Sequence, residues 1–142
     1  EPNPFMHQHL LKRARAAGVS VSLVGDDAAR MSLGNGSADA VVCTLVLCSA
    51  ADPVAVVAEV KRVLRPGGRM VFIEHVAALR GTFLRRAQSI VRPGWRFALD
   101  GCCPDRETGR TIERAGFSEV RLENFRAPLP IVGPHISGLA RK

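Results

Sequence analysis

The side chains in this 142-residue sequence that can move a proton or hold a polar ligand cluster at the ends of apolar runs. Asp26 and Asp27 follow the run Val19 to Val24, His75 closes a run that starts at Arg69, and Asp100 stands beside Gly101. An imidazole changes charge near neutral pH, so His75 is the leading general-base candidate and Asp100 the second candidate for a catalytic role. Each has an ordinary reading beside it: a lone His is commonly a hydrogen-bonded structural residue, and Asp is common in turns after strands. The four cysteines are Cys43, Cys48 and the adjacent pair Cys102 and Cys103. None forms a C-x-x-C pair, which argues against zinc, and no metal is expected. Cys43 and Cys48 lie in an apolar run and read as buried thiols, implying a reducing compartment, while Cys102 and Cys103 read as pocket lining or as packing.

The elements that must position these residues alternate helix and strand, the pattern of an α/β fold with a mostly parallel sheet covered on both faces. Asn3 caps a first helix, Pro4 suits its first position and Gly18 closes it. Met6, Leu10, Ala14 and Ala17 form its expected apolar face. Val19 to Val24 reads as a short strand. Asp39 to Leu47 is a Val-rich run that fits a central parallel strand buried on both faces. Asp52 and Pro53 start a helix with Val56, Val60, Val63 and Leu64 on one face, ended by Arg65-Pro66-Gly67-Gly68, and Arg69 to Val76 is another buried strand. Asp105 is expected to cap a helix running through Ala115, with Gly116 as its stop. Phe117 to Phe125 alternates as a strand. His135 to Lys142 forms a last strand, antiparallel because the connection is too short for a parallel crossover.

The length suits one domain with a substantial core. Hydrophobic residues make up 46% of it, and no apolar run reaches the 18 or so residues a membrane span needs. The formal net charge of +7 favours anionic partners such as phosphate-bearing cofactors or anionic lipid, or reflects solvated arginines. With no Tyr, one Trp and no nucleic-acid module, nucleic acid is not an expected partner. Leu79 to Leu99 is basic and amphipathic: Arg80, Arg85, Arg86, Arg92 and Arg96 alternate with Phe83, Leu84, Ile90, Val91, Trp95 and Phe97. Such a stretch suits a lid over a lipophilic acceptor, a peripheral membrane contact, or a helix covering the sheet edge.

Gly25-Asp26-Asp27-Ala28, Ser37-Ala38-Asp39-Ala40-Val41-Val42, Leu64-Arg65-Pro66-Gly67-Gly68 and Ala115-Gly116-Phe117 with Val120, in that order, resemble class I S-adenosylmethionine (SAM)-dependent methyltransferases. A narrower set, Cys43-Thr44-Leu45-Val46-Leu47-Cys48-Ser49, Glu74-His75-Val76, Asp100-Gly101-Cys102-Cys103 and Gly133-Pro134-His135-Ile136, resembles the methyltransferase-like alkyl thiol S-methyltransferases. The resemblance implies a Rossmann-like methyltransferase sheet with an antiparallel C-terminal strand. The family's first strand and glycine-rich loop have no counterpart, so residues 1–142 would be the C-terminal two-thirds of one domain, with a basic insert at about 79–99. The implied function is methyl transfer from S-adenosyl-L-methionine to a small or lipophilic acceptor, such as an alkyl thiol. The alternatives are a non-catalytic binding or scaffold relative, a truncated inactive form, and a nicotinamide-binding Rossmann domain. The implied location is the cytoplasm or the cytoplasmic face of an intracellular membrane, endoplasmic reticulum or lipid droplet in a eukaryote.

The resemblance also assigns cofactor-binding residues. Glu1 matches the acid that accepts from both ribose hydroxyls, a bidentate task suited to carboxylate. Asp27, with Asp26 as its one-residue alternative, matches the acceptor for the adenine amine, and the amide of Ala28 suits a ring nitrogen. Thr44 and Leu45, with Val46, would face the crevice at the carboxyl end of their strand, where open α/β sheets bind ligands. The competing readings are a frayed terminal Glu1, turn residues at Asp26 and Asp27, and a core Thr44. His135 matches the family with no role assigned.

Overall fold

A computed structural model describes Glu1 and residues 3–142. The elements in chain order are α1 (Pro4–Ala16), β1 (Ala38–Thr44), α2 (Pro53–Val63), β2 (Leu64–His75), α3 (Phe83–Ala98), α4 (Thr108–Glu113), β3 (Glu119–Arg126) and β4 (Pro134–Arg141). The sheet order is β1-β2-β4-β3. β2 runs parallel to β1, and β4 is antiparallel to both β2 and β3, so three of the four strands share a direction. β4 enters between its neighbours through Gly138, where a Cβ would strike the Arg121 carbonyl and the Phe72 ring.

α2 forms as its sequence dictates. The Asp52 carboxylate accepts from the amides of Val54 and Ala55, both at 3.0 Å, satisfying donors a helix start leaves free. Val56, Val57, Val60 and Val63 of α2 are buried. Val56, Val57 and Val60 pack with Cys43, Met70, Phe72, Ile112, Ile136 and Ala140 into one core on a single face of the sheet. At roughly 1.5–3 kcal/mol for each large side chain fully removed from water, this layer dominates the stabilisation.

Three expectations require correction. Val19 to Val24 is extended chain without a ladder, because the outermost strand on that side is β1, which pairs with β2 alone among the described strands. The carbonyl of Val24 instead accepts from the amino terminus of Glu1 at 3.0 Å. The run Asp39 to Leu47 is an edge strand rather than a central one: β1 ends at Thr44, and Val42 is 72% exposed. Val71 and Ile73 of β2, on the same open face, are 37% and 43% exposed. Asp105 does not cap a helix through Ala115. α4 begins at Thr108 after Glu107, because Asp105 is engaged by Ser89 and Arg92 and the Glu107 carboxylate by Arg80, Arg85 and Arg110.

α1 is capped by Asn3, whose side chain accepts from the Phe5 amide at 3.0 Å, but none of its residues is buried. Its expected apolar face, led by Met6 and Leu10, stays partly in solvent because no paired strand follows to lie beneath it. The basic stretch is the helix α3, capped by Thr82 and anchored by the buried Gln88. That amide accepts from Ala78 N–H and donates to the carbonyls of Val76 and Ile131.

Candidate active site

The turn after β1 is built on a buried carboxylate. Leu45 takes a left-handed conformation (φ 54°) that ends the strand. The amides of Val46, Leu47 and Cys48 then converge on the Glu74 carboxylate at 2.8, 3.0 and 3.1 Å. Glu74 is fully buried. Burial pushes its carboxyl above the usual range, while those three amide bonds act in the opposite direction. On the far side of the turn the Arg106 guanidinium donates to the carbonyls of Leu47 and Ala50 at 2.7 and 2.6 Å.

This turn forms one wall of a cleft of about 800 Å³. Val46, Ser49, Ala50 and Asp100 line that wall, while Glu1, Val24, Gly25, Asp26, Asp27 and Ala28 line the other. Met31, Leu33 and Val56 add apolar surface. Each acid uses one oxygen locally: Glu1 accepts from the Asn3 amide, Asp26 from the Ser32 amide and Asp27 from the Ala29 amide. The 28–35 loop is tied to α2 by Glu59, which accepts from the Met31 amide at 2.8 Å and pairs with Arg62. Arg62 in turn reaches the Met31 carbonyl and the Asn35 side chain. The Arg62 hydrogen bond, then the Met31 amide, hold the Glu59 carboxyl down to about 2.

The cleft therefore gathers Glu1, Asp26, Asp27, Ala28 and Asp100. Thr44 and Leu45 are not among its lining residues, because the left-handed step at Leu45 turns the chain so that Val46 and Ser49 line it instead. Ser49 belonged to the run that resembles the alkyl thiol S-methyltransferases but had no role assigned; its place follows from the Glu74 turn.

His75 lies elsewhere. It is 5% exposed and absent from the cleft lining, with Nε2 at 3.0 Å from the Cys102 sulfur. The Trp95 indole N–H donates to the same sulfur at 3.3 Å. His75 Nδ1 has no hydrogen-bond partner among the described residues. Burial first, then the charges of His135 and Arg106, push this imidazole down to about 4 and keep it neutral. Among the described residues its hydrogen-bond partner is the Cys102 thiol.

All four cysteines are free. Cys48 donates through its thiol to the Leu45 carbonyl at 3.3 Å, and burial, then the Glu74 charge, push that thiol up to about 12. The Cys48 sulfur, a ring nitrogen of His75 and the Cys102 sulfur all lie within 4.8 Å of one another. A second cleft, of about 420 Å³, runs between α2 and α4 and contains none of the expected site residues.

A family model described as a methyltransferase domain matches residues 1–72. The human thiol S-methyltransferase TMT1B is 43% identical over 147 residues, an alignment that takes in 100% of this chain and 60% of that protein. The human thiol S-methyltransferase TMT1A is 40% identical over 156 residues, with the same two shares of 100% and 60%. The chain thus spans less than two-thirds of the curated relatives it matches. Among solved structures, a SAM-dependent methyltransferase from Methanosarcina mazei superposes with a TM-score of 0.68 at 17% identity, covering 100% of this chain and 79% of that one. At that identity the likeness is one of fold.

Proposed function

The chain belongs to the methyltransferase domain family, and from that premise we propose that it is the cofactor- and acceptor-binding part of a SAM-dependent methyltransferase acting on a small or lipophilic thiol. One observation carries the reading: Glu1, Asp26, Asp27 and Asp100 share a single cleft at the carboxyl end of β1. The donor set fits the cofactor. Carboxylates with an oxygen to spare suit ribose hydroxyls and an adenine amine, and Val24, Met31, Leu33 and Val56 suit a flat heterocycle. Glu1 would take the ribose, Asp27 the amine and the Ala28 amide a ring nitrogen, with Asp26 as the alternative acceptor.

The cofactor supplies an electrophilic methyl group. The chain's contribution is to align the acceptor, exclude water and assist its deprotonation. Val46, Ser49 and Asp100 line the same cleft, which supports an acceptor approach from that wall with Asp100 orienting it. The thiol class rests on what the two human relatives are named for.

α3 supports a peripheral location at a membrane. Phe83, Ile90 and Phe97 recur at seven-residue spacing and are 86%, 78% and 94% exposed, with Leu79 beside them at 81%. With arginines along the same helix they form a surface suited to anionic lipid. Among the described residues no helix is long and apolar enough to cross a membrane. The proposed location is the cytoplasm or the cytoplasmic face of an intracellular membrane.

The test is isothermal titration with S-adenosylhomocysteine and with NAD, followed by a methylation assay on thiol, amine and quinone acceptors. Binding of S-adenosylhomocysteine alone, with turnover on thiols, is the expected result. A preference for NAD overturns the cofactor assignment. Binding without turnover on any acceptor favours the non-catalytic reading.

A further inference from the structure

The thiols and imidazole beside the cleft come from three separate segments. Cys48 lies on the turn after β1, His75 ends β2, and Cys102 follows α3. The fold locks these segments together: Cys103 N–H donates to the Cys48 carbonyl at 2.9 Å, and Glu74, next to His75, holds the Cys48 amide. Two sulfurs and one imidazole nitrogen is a soft donor set. With bonds of about 2.0–2.3 Å, a tetrahedral zinc holds its ligands roughly 3.5 Å apart. The cluster, with 3.0 Å between His75 Nε2 and Cys102 Sγ and all three atoms within 4.8 Å, brackets that spacing. Small side-chain shifts close it.

The His75 ring turns Nε2 toward the Cys102 sulfur at 3.0 Å, the orientation that ligation of a cation through Nε2 requires, with Nδ1 then carrying the ring proton. Cys102 is partly exposed as a residue, while the three-ligand cluster itself is buried. It also adjoins the cleft on both sides: Ser49, next to Cys48, and Asp100, two residues before Cys102, are both lining residues.

We propose that Cys48, His75 and Cys102 bind a zinc ion as three protein ligands, leaving a fourth position for the sulfur of the acceptor. Two thiolates and one imidazole with one open place is the composition of a catalytic rather than a structural zinc site. On coordination the acceptor gives up its S–H proton to solvent and is held as thiolate, the nucleophilic form. Its sulfur then forms the new bond to the methyl carbon as that carbon's bond to the sulfonium breaks, and the product thioether, a weaker ligand, leaves. The acceptor half of the proposal rests on the thiol reading above; the metal half does not.

The experiment is titration of the reduced full chain with cobalt(II) as a spectroscopic stand-in for zinc, with zinc competition. The expected result is one cobalt per chain, a sulfur-to-cobalt charge-transfer band in the near ultraviolet, and its loss on adding zinc. Cys48→Ser and Cys102→Ser each weaken binding by about 100-fold or more, whereas Cys43→Ser leaves it unchanged. Adding 2-mercaptoethanol shifts the band as the open position fills. No charge-transfer band, or a band indifferent to both serine variants in chains folded by circular dichroism, overturns the site. A band that ignores 2-mercaptoethanol overturns the acceptor role. A band that shifts in a chain inactive on every thiol leaves the metal site standing and counts against the proposed reaction.

Discussion

A carboxylate at position 74 stands in the middle of Met70-Val71-Phe72-Ile73, His75 and Val76, where an apolar side chain would be expected. Its three amide partners explain it: the turn that carries Val46 and Ser49 to the cleft would otherwise leave buried donors unpaired. Glu74→Gln leaves an oxygen to accept from some of those amides but puts an NH2 group against at least one of them, such as that of Cys48. It should cost about 1–3 kcal/mol, read as a lowered Tm, and should weaken cofactor binding as the turn shifts. Asp27→Ala should weaken S-adenosylhomocysteine about tenfold in calorimetry while leaving the Tm nearly unchanged, since its local bond is to an exposed amide. Unchanged affinity would return the adenine role to Asp26. At this scale the family resemblance singled out Glu1, Asp26, Asp27 and Ala28, and the place beside Gly101 singled out Asp100; the fold brings all five to one cleft. The sequence was silent about Cys48, His75 and Cys102 as a group. Metal spacing is read along the chain, and these three meet only when the ends of β1, β2 and α3 come together.

Among the elements, α2, β2 and β4 were legible because caps, helical spacing and alternation are local signals. Val19 to Val24 was not, since a strand is defined by its neighbour and nothing within six residues reports one. α4 was misjudged at its start because Asp105 and Glu107 have distant arginine partners that compete with capping. The tie between α2 and the 28–35 loop has a pH signature. The Glu59 carboxyl is held well below its free value, so its contribution to stability is fully present above the unfolded pKa near 4.5 and is lost as pH falls toward about 2. Glu59→Gln should flatten that part of the acid-unfolding curve and loosen S-adenosylhomocysteine binding by removing the charged partner of Arg62. An unchanged acid limb would show that the Arg62 pair is not a determinant. For α3, Phe97→Asp should abolish co-sedimentation with phosphatidylserine vesicles, and retained binding would reassign the helix to covering the acceptor.

Taken whole, the molecule places its chemistry asymmetrically. One face of the sheet is closed by α2 and α4 and supplies the core. The other carries Val42, Val71 and Ile73 in contact with water. The alternation of helix and strand made the fold class readable from composition and order, but not which strand stands at the rim. That depends on pairings between residues far apart, as in Thr44 with Ile73 or Ile73 with Ser137.

The rim position of β1 has a practical consequence. Its outward backbone donors and acceptors, next to uncovered valines and isoleucine, form a template on which another extended chain can zip. The polypeptide should therefore self-associate as its concentration rises, with light scattering increasing and β-type infrared absorption growing. Val42→Lys should suppress both without lowering the melting temperature, because that side chain buries little against its own fold.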